Sequence, residues 1–306
     1  MSLSDVPARL LAGLMFALAW CIGRIPLGLL RALGSGAGRL AHALNTREAK
    51  VARRNLEIIA PELSASEREH QVSAILRATG RNALETLRIW TGSRTANLRL
   101  VRRVHGVKVF DAARAKAGSV IIAAPHFGNW ELLIEYLAAR APFALVYRVP
   151  EKRAGDLFLR WARGGENVRL VPAETNAMRP LWKALKEGGV VGVTPDQQPK
   201  FGGGEFAPFF GKRALTLSLI PKLAERSGAP VIFAWAEPVP DGFDLYFEPA
   251  LPGIADPDIA KATAVMNRQV EAIAARDPSQ YQWTYKRYSQ RPEDSGESNP
   301  YHPDCY

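Results

Sequence analysis

The sequence predicts an α/β fold: a mostly parallel sheet flanked by helices, preceded by an N-terminal hydrophobic membrane helix. From about residue 100 onward, short apolar runs alternate with amphipathic segments, the pattern of strands joined by crossover helices. Ahead of that region lies a helical stretch, and ahead of that an uncharged run from Leu10 to Gly23. Of the 306 residues, 47% are hydrophobic, which supplies a substantial core and excludes a disordered chain.

The first element is the run LLAGLMFALAWCIG, closed by Arg24 and Pro26 and followed at once by IPLGLLRALG. The uncharged part falls short of the roughly 20 residues needed to span a bilayer. Extended to Leu33 it is long enough, but only with Arg24 and Arg31 tolerated. Those two are close to two helical turns apart and share one face. The expectation is an uncleaved helix, partly inserted or lying at the interface, with that basic face toward anionic headgroups. A signal peptide and a buried soluble helix are the competing readings; the small-residue site Ala41-His42-Ala43 lies far beyond the apolar run.

Residues 1–40 thus form a membrane-associating segment, and residues 41–292 an α/β domain whose first part, 46–95, is a helical lead-in. Ser64 followed by Glu67 is a capping-box pattern. Val72, Ile75, Leu76 and Thr79 then recur at helical spacing. Strand-like pieces follow in SVIIAAP, FALVYRV, VRLVP, VVGVTPD, PVIFAWAEPV and FDLYFEPA. Helical segments fall at NWELLIEYLAAR, AGDLFLRWARGG, AMRPLWKALKEG, LTLSLIPKLAERSG and IAKATAVMNRQVEAIAARD. Residues 293–306 read as a polar tail.

The formal charge is +10, from 40 Lys and Arg against 30 Asp and Glu. Such an excess attracts nucleic acid, anionic lipid, phosphorylated substrates or acidic carrier proteins. Cys21 and Cys305 offer neither a disulfide framework nor metal-ligand spacing, so the catalytic parts read as cytosolic, with no metal.

SVIIAAPHFGNWELL concentrates the chemistry. An apolar strand ends at Pro125, His126 follows, Gly128 makes a turn, and Asn129 is placed to cap the helix that carries Glu131. On one continuous helix the five-residue spacing would hold His126 and Glu131 apart. Across a strand–turn–helix corner they can meet, a carboxylate orienting the ring while its other nitrogen takes a proton from a hydroxyl. Five histidines give about 0.5 such His-x4-acid pairs by chance, so the spacing alone leaves a structural surface histidine equally open.

Ordered blocks then add to the dyad: ARRNLEIIAPELSASERE, VYRVPEKRAGDLFLRWARGG, GVVGVTPDQQPKFGGGEFAPFFGKRALTLSLIPKLAERSGAPVIF and QYQWTYKRYSQRP. With the His-x4-Glu motif they resemble the bacterial lipid A biosynthesis acyltransferases, the lauroyl and myristoyl late acyltransferases, over roughly residues 5–292. The resemblance implies a glycerolipid-acyltransferase-like fold and an enzyme of lipopolysaccharide biosynthesis on the cytoplasmic face of the inner membrane. It also implies an acyl carrier protein donor, a lipid A precursor glycolipid acceptor and no cofactor. By that resemblance His126 is the base and Glu131 its partner, while Arg163 and Asp196 align with active-site positions. Arg163 would hold a thioester oxyanion or a substrate phosphate, with Arg148 a further candidate of the same kind; without the resemblance, Arg163 reads as a surface arginine on a basic helix.

The chemistry expected is attack of an acceptor hydroxyl on the carrier's acyl thioester. A same-superfamily enzyme acting on another glycolipid or phospholipid is the nearest alternative, because the loop PDQQPKFGGG departs from the lipid A pattern. A non-catalytic basic membrane- or nucleic-acid-binding protein is the alternative of another class. The glycines at 202–204 read as a mobile loop bordering the site, since they lack a Walker-type ending. Phe206, Phe209 and Phe210 are candidates for an acyl groove, with the core as the competing place for them. Trp283, Tyr285, Lys286, Arg287 and Tyr288 are read as an interfacial belt rather than a nucleic-acid surface, for which no recognised motif is present.

Overall fold

The computed structural model describes residues 6–173, 177–199 and 203–306. Two helices come first, α1 (Val6–Gly23) and α2 (Leu27–Ala43), then the lead-in helices α3 (Arg47–Ile59) and α4 (Ala65–Thr91). The capping box forms as the sequence predicts: Ser64 Oγ accepts from the Glu67 backbone and Glu67 reaches back to the Ser64 N–H. Val72, Ile75 and Leu76 of α4 are buried in the core.

The sheet is built from β1 (Val101–His105), β2 (Val120–Ala123), β3 (Phe143–Tyr147), β4 (Val168–Pro172), β5 (Val190–Val193), β8 (Val231–Val239) and β9 (Gly242–Pro249). Their spatial order is β1-β9-β8-β2-β5-β3-β4. Every neighbouring pair is parallel except the β8–β9 hairpin, so the mostly parallel α/β fold holds. A short α5 (Arg94–Leu98) precedes β1. Around the sheet lie α6 (Val107–Ala117), α7 (Glu131–Ala138), α8 (Arg153–Arg163), α9 (Met178–Lys186), α10 (Leu219–Ser227) and α11 (Ile259–Ala274).

Alternation along the strands separates two cores. Ile121 and Ala123 face one with Leu76, Leu223 and Met266; Val120 and Ile122 face the other with Phe110, Leu132 and Leu137. Because both faces of β2, β3 and β5 are covered, these strands read as continuous apolar runs.

Four expectations change. The segment LTLSLIPKLAERSG is not helical throughout. Lys212–Leu217 is β7, paired antiparallel with β6 (Gly204–Phe209) through a Phe210–Gly211 turn with positive φ at both residues, and α10 starts only at Leu219. Asn267 on α11 fastens this hairpin, donating to Pro208 O at 2.9 Å and Thr216 Oγ1 at 3.1 Å.

Arg24 and Arg31 do not share one helical face, because Pro26 separates α1 from α2. Arg24 stays exposed, its guanidinium 4.6 Å from the Trp20 ring centre. Arg31 turns inward to Glu85 and donates to the carbonyls of Val239, Pro240 and Gly242. A buried carboxylate needs this counter-charge.

Residues 293–306 are folded against the domain rather than forming a loose polar tail. Tyr301 and Cys305 are buried, and the Tyr301 hydroxyl donates to Asn55 Oδ1 of α3. Asn55 in turn donates to the carbonyls of Trp283 and Tyr285. Finally, the aromatic-basic segment is no interfacial belt: Trp283, Arg287 and Tyr288 are at most 2% exposed. Phe209 lies under them in the same cluster, with Phe210 and Trp283 ring centres 5.4 Å apart, so these two candidates for an acyl groove are core, the competing reading. Phe206 lies half-buried on the hairpin, 5.9 Å from the Arg213 guanidinium.

The apolar surface lies elsewhere. Leu10, Leu11, Leu14 and Leu18 of α1 are each at least half exposed, as are Leu29 and Leu40 of α2. The α1 segment, with a mean hydropathy of 1.7 and 17% of it buried, is the one helix among the described residues long and apolar enough to cross a membrane. Its other side packs Ala12 and Ala19 against Leu157 and Phe158 of α8.

Candidate active site

The site forms at the carboxyl ends of β2 and β5, where parallel α/β sheets place their chemistry. These strands are adjacent, with Ala123 opposite Val193. His126 and Asp196 each lie three residues beyond that pair, each preceded by a proline, and so emerge side by side. The Asp196 carboxylate accepts from the His126 backbone N–H and from ring Nδ1, both at 2.8 Å. Asp196 is 2% exposed. Burial pushes its carboxyl up, but the charge and two hydrogen bonds of His126, with Arg287 behind, more than offset that and leave it below the usual aspartate range.

With Nδ1–H donated to Asp196, the lone pair of the imidazole sits on Nε2. The Gln197 amide lies 3.2 Å from that nitrogen and donates to Gln282 Oε1 at 3.0 Å. His126 lines a small pocket whose wall includes Thr79 and Asn82 of α4, Trp130, and Ser279 to Gln282. The segment after α11 is pinned there: Phe127 bridges to Tyr281, and Gln282 N donates to His126 O at 3.0 Å. Gly128 makes the turn with φ 58°, and a Cβ there would strike the Ala236 carbonyl, so only glycine lets the chain pass.

Asn129 is not the cap of α7. The helix starts at Glu131 with Trp130 before it and no side-chain cap, while Asn129 is buried at 1% exposure beside Thr86. Glu131 does not orient the imidazole either, since Asp196 occupies that role. Its carboxylate instead takes Arg163 Nε at 3.0 and 3.1 Å, with Nη2 on the same group. Both side chains are largely buried, at 6% and 13% exposure. The Arg163 guanidinium lies 4.9 Å from the Trp130 ring centre and 5.6 Å from Trp90. Trp130 packs edge-on to His126 at 5.8 Å. Four of the five expected residues therefore form two pairs, His126–Asp196 and Glu131–Arg163, with Trp130 between them.

Arg148, at the end of β3, is exposed and has no hydrogen bond or ion pair among the described residues; the nearby Tyr285 phenol feels its charge. The glycine loop falls only partly inside the described residues: Gly202 lies outside them, and Gly203 and Gly204 lead into β6. Among the described residues no three His, Cys, Asp or Glu side chains gather as metal ligands. Sequence reasoning did not single out Gln197, Gln282 or Trp130. A narrow apolar pocket also lies beneath Trp130, lined by Ile122, Leu133, Leu137, Phe143 and Leu145.

A histidine whose ring is oriented by a buried carboxylate, and which lines a pocket, has the geometry to exchange a proton with a group bound there. The family described as bacterial lipid A biosynthesis acyltransferase matches residues 2–290. The chain is 29% identical over 292 residues to the lipid A biosynthesis lauroyltransferase of Escherichia coli K12, covering 94% of each chain. It is 29% identical over 285 residues to the palmitoleoyltransferase of the same strain, covering 92% of this chain and 91% of that one. To that strain's myristoyltransferase it is 24% identical over 278 residues, covering 89% and 83%. With nearly its whole length matched, the chain belongs to the bacterial lipid A biosynthesis acyltransferase family, and is an acyltransferase.

Proposed function

We propose that this acyltransferase moves a fatty acyl chain from the thioester of acyl carrier protein to a hydroxyl of a lipid A precursor, at the cytoplasmic face of the inner membrane. The observation that carries the reading is the His126 ring, held through Nδ1 by buried Asp196 and lining the pocket, which leaves Nε2 as the nitrogen to take a proton. In the reaction the acceptor oxygen attacks the thioester carbonyl carbon and its proton passes to Nε2. Asp196 stabilises the imidazolium that forms. The tetrahedral intermediate collapses with cleavage of the C–S bond, and the proton leaves with the carrier's thiol.

Glu131 is a positioning residue in this scheme. It neutralises Arg163, and the pair holds Trp130 against the imidazole. Exposed Arg148 suits an acidic carrier, and the excess of positive charge serves both carrier and phosphorylated acceptor. The exposed leucines of α1 and α2 support seating in the membrane.

The test supplies labelled acyl carrier protein and a tetra-acylated lipid A precursor to membranes containing the protein, with the lipid products read by mass. Addition of one acyl mass, abolished in His126→Ala, is the expected result. Full transfer by His126→Ala would remove the base assignment, and transfer only to other lipids would remove the acceptor.

A further inference from the structure

A second concave site lies beside the catalytic pocket, in a groove of about 450 Å³ between α2, α4 and the β8–β9 turn. It is lined by Arg31, Ser35, Arg39 and Arg81, with Gln280 shared between this groove and the His126 pocket. One turn of α4 borders both: Arg81 faces the groove, and Thr79 and Asn82 face the pocket.

The groove's charge is not already satisfied. Arg31 is consumed by Glu85 and three backbone carbonyls. Arg39 is exposed and Arg81 half-buried, and neither has a hydrogen bond or ion pair among the described residues. Glu85, whose carboxylate feels Arg81, is already paired with Arg31. Two unpaired guanidiniums in one concavity favour a multiply charged, oxygen-rich anion, because each offers several donors in fixed geometry.

The helix crossing builds the groove. Gly34 and Gly38 let α2 lie directly on α4: a Cβ at Gly34 would sit 2.5 Å from the Gly80 carbonyl oxygen, and one at Gly38 would strike that of Leu76. On a helix advancing about 100° per residue, the glycines face α4 and Leu29, Leu33 and Leu40 face the opposite way. Arg39 falls on the flank between those faces. An anion held there lies on the helix that carries the exposed leucines Leu29, Leu33 and Leu40, and one shared wall away from the His126 pocket.

We infer that the Arg39–Arg81 groove binds a phosphate group on the headgroup of the lipid acceptor, fixing which hydroxyl reaches His126. The lipid's identity rests on the acyl-transfer reading; the phosphate site rests on the groove itself. The experiment therefore measures binding apart from catalysis. Full-length protein is sedimented with neutral vesicles carrying either a phosphomonoester glycolipid or the same lipid after phosphatase treatment.

Binding to the phosphorylated vesicles should fall roughly tenfold for each of Arg39→Gln and Arg81→Gln. Binding to the dephosphorylated vesicles should not change, and Arg226→Gln, an exposed control, should match the parent on both. Millimolar inorganic phosphate should leave vesicle binding in place. Equal losses on both vesicles, no loss, or displacement by free phosphate would each overturn the headgroup site. So would retained vesicle binding accompanied by lost affinity for acyl carrier protein, which would make the groove a carrier dock. If phosphate-dependent binding stands but the parent transfers no acyl group, the groove assignment survives and the acyl-transfer reading falls.

Discussion

Asp196 grips His126 twice, through the backbone N–H and through ring Nδ1, at 2.8 Å in each case. The first contact fixes where the residue leaves β2, and the second fixes the ring and its tautomer. Asp196→Asn keeps the size of the side chain but removes the charge that stabilises the imidazolium. Turnover should fall by about 10²–10⁴-fold with the circular dichroism spectrum unchanged. Near-parental turnover would show that the carboxylate serves folding alone.

Glu131 and Arg163 call for a different test, because their pair is largely buried. Glu131→Ala strands a guanidinium and should cost about 3–5 kcal/mol in denaturant unfolding. Glu131→Gln combined with Arg163→Met removes both charges and should regain most of that stability. Transfer should stay low in the double variant, since Trp130 loses the cation it packs against. Recovery of both stability and transfer would make the pair purely structural.

The Arg31–Glu85 pair should set a pH dependence. Burial pushes the Glu85 carboxyl above the usual range, with Arg31 the leading opposing charge. In Arg31→Met that opposition is gone, and the carboxyl rises further. A group with a raised folded pKa favours the native state at low pH and loses that advantage as pH climbs through the folded value. The deficit of Arg31→Met against the parent should therefore be smaller at pH 5 than at pH 7.5, when unfolding is measured at both.

Glu69 gives the opposite sign. Hydrogen bonds from Arg53, and then from His42, hold its carboxyl at about 2 against the cost of its burial. Its contribution is present above the ordinary glutamate pKa and lost as pH falls toward 2. The side chain is 41% exposed, so solvent screening limits the effect. Glu69→Gln should cost at most about 1 kcal/mol at pH 7, with the difference vanishing near pH 2 in an acid unfolding series.

Much of the sheet was legible because β2, β3 and β5 are covered on both faces and read as unbroken apolar runs. His126 was legible for the same reason, as the first polar residue beyond such a run. Its partner was harder, because Asp196 lies 70 residues away and meets it only through the pairing of β2 with β5. A signal was nonetheless present: AAPH and VTPD both place a proline and then a polar residue just past a strand. The aromatic-basic segment misled because composition does not distinguish a ring at an interface from a ring over a core. Arg287, which looks like a surface cation in sequence, is buried with its Nη atoms on Leu215 O and Thr216 Oγ1. Arg31 misled in the same way, since its carbonyl acceptors sit more than 200 residues further along the chain.

The crossing of Gly34 and Gly38 over Gly80 also acts as a depth gauge. A slip of α2 along α4 by one turn would raise or lower it by about 5.4 Å and drive a side chain into the opposing backbone. In the proposed seating, the leucines of α2 fix its height in the lipid, and the backbone contact passes that height to α4 without slack. The distance from bilayer surface to His126 is then set by three residues with no side chains. An acceptor whose hydroxyl stands at another height above its phosphate would be refused by geometry, with no contact needed to reject it.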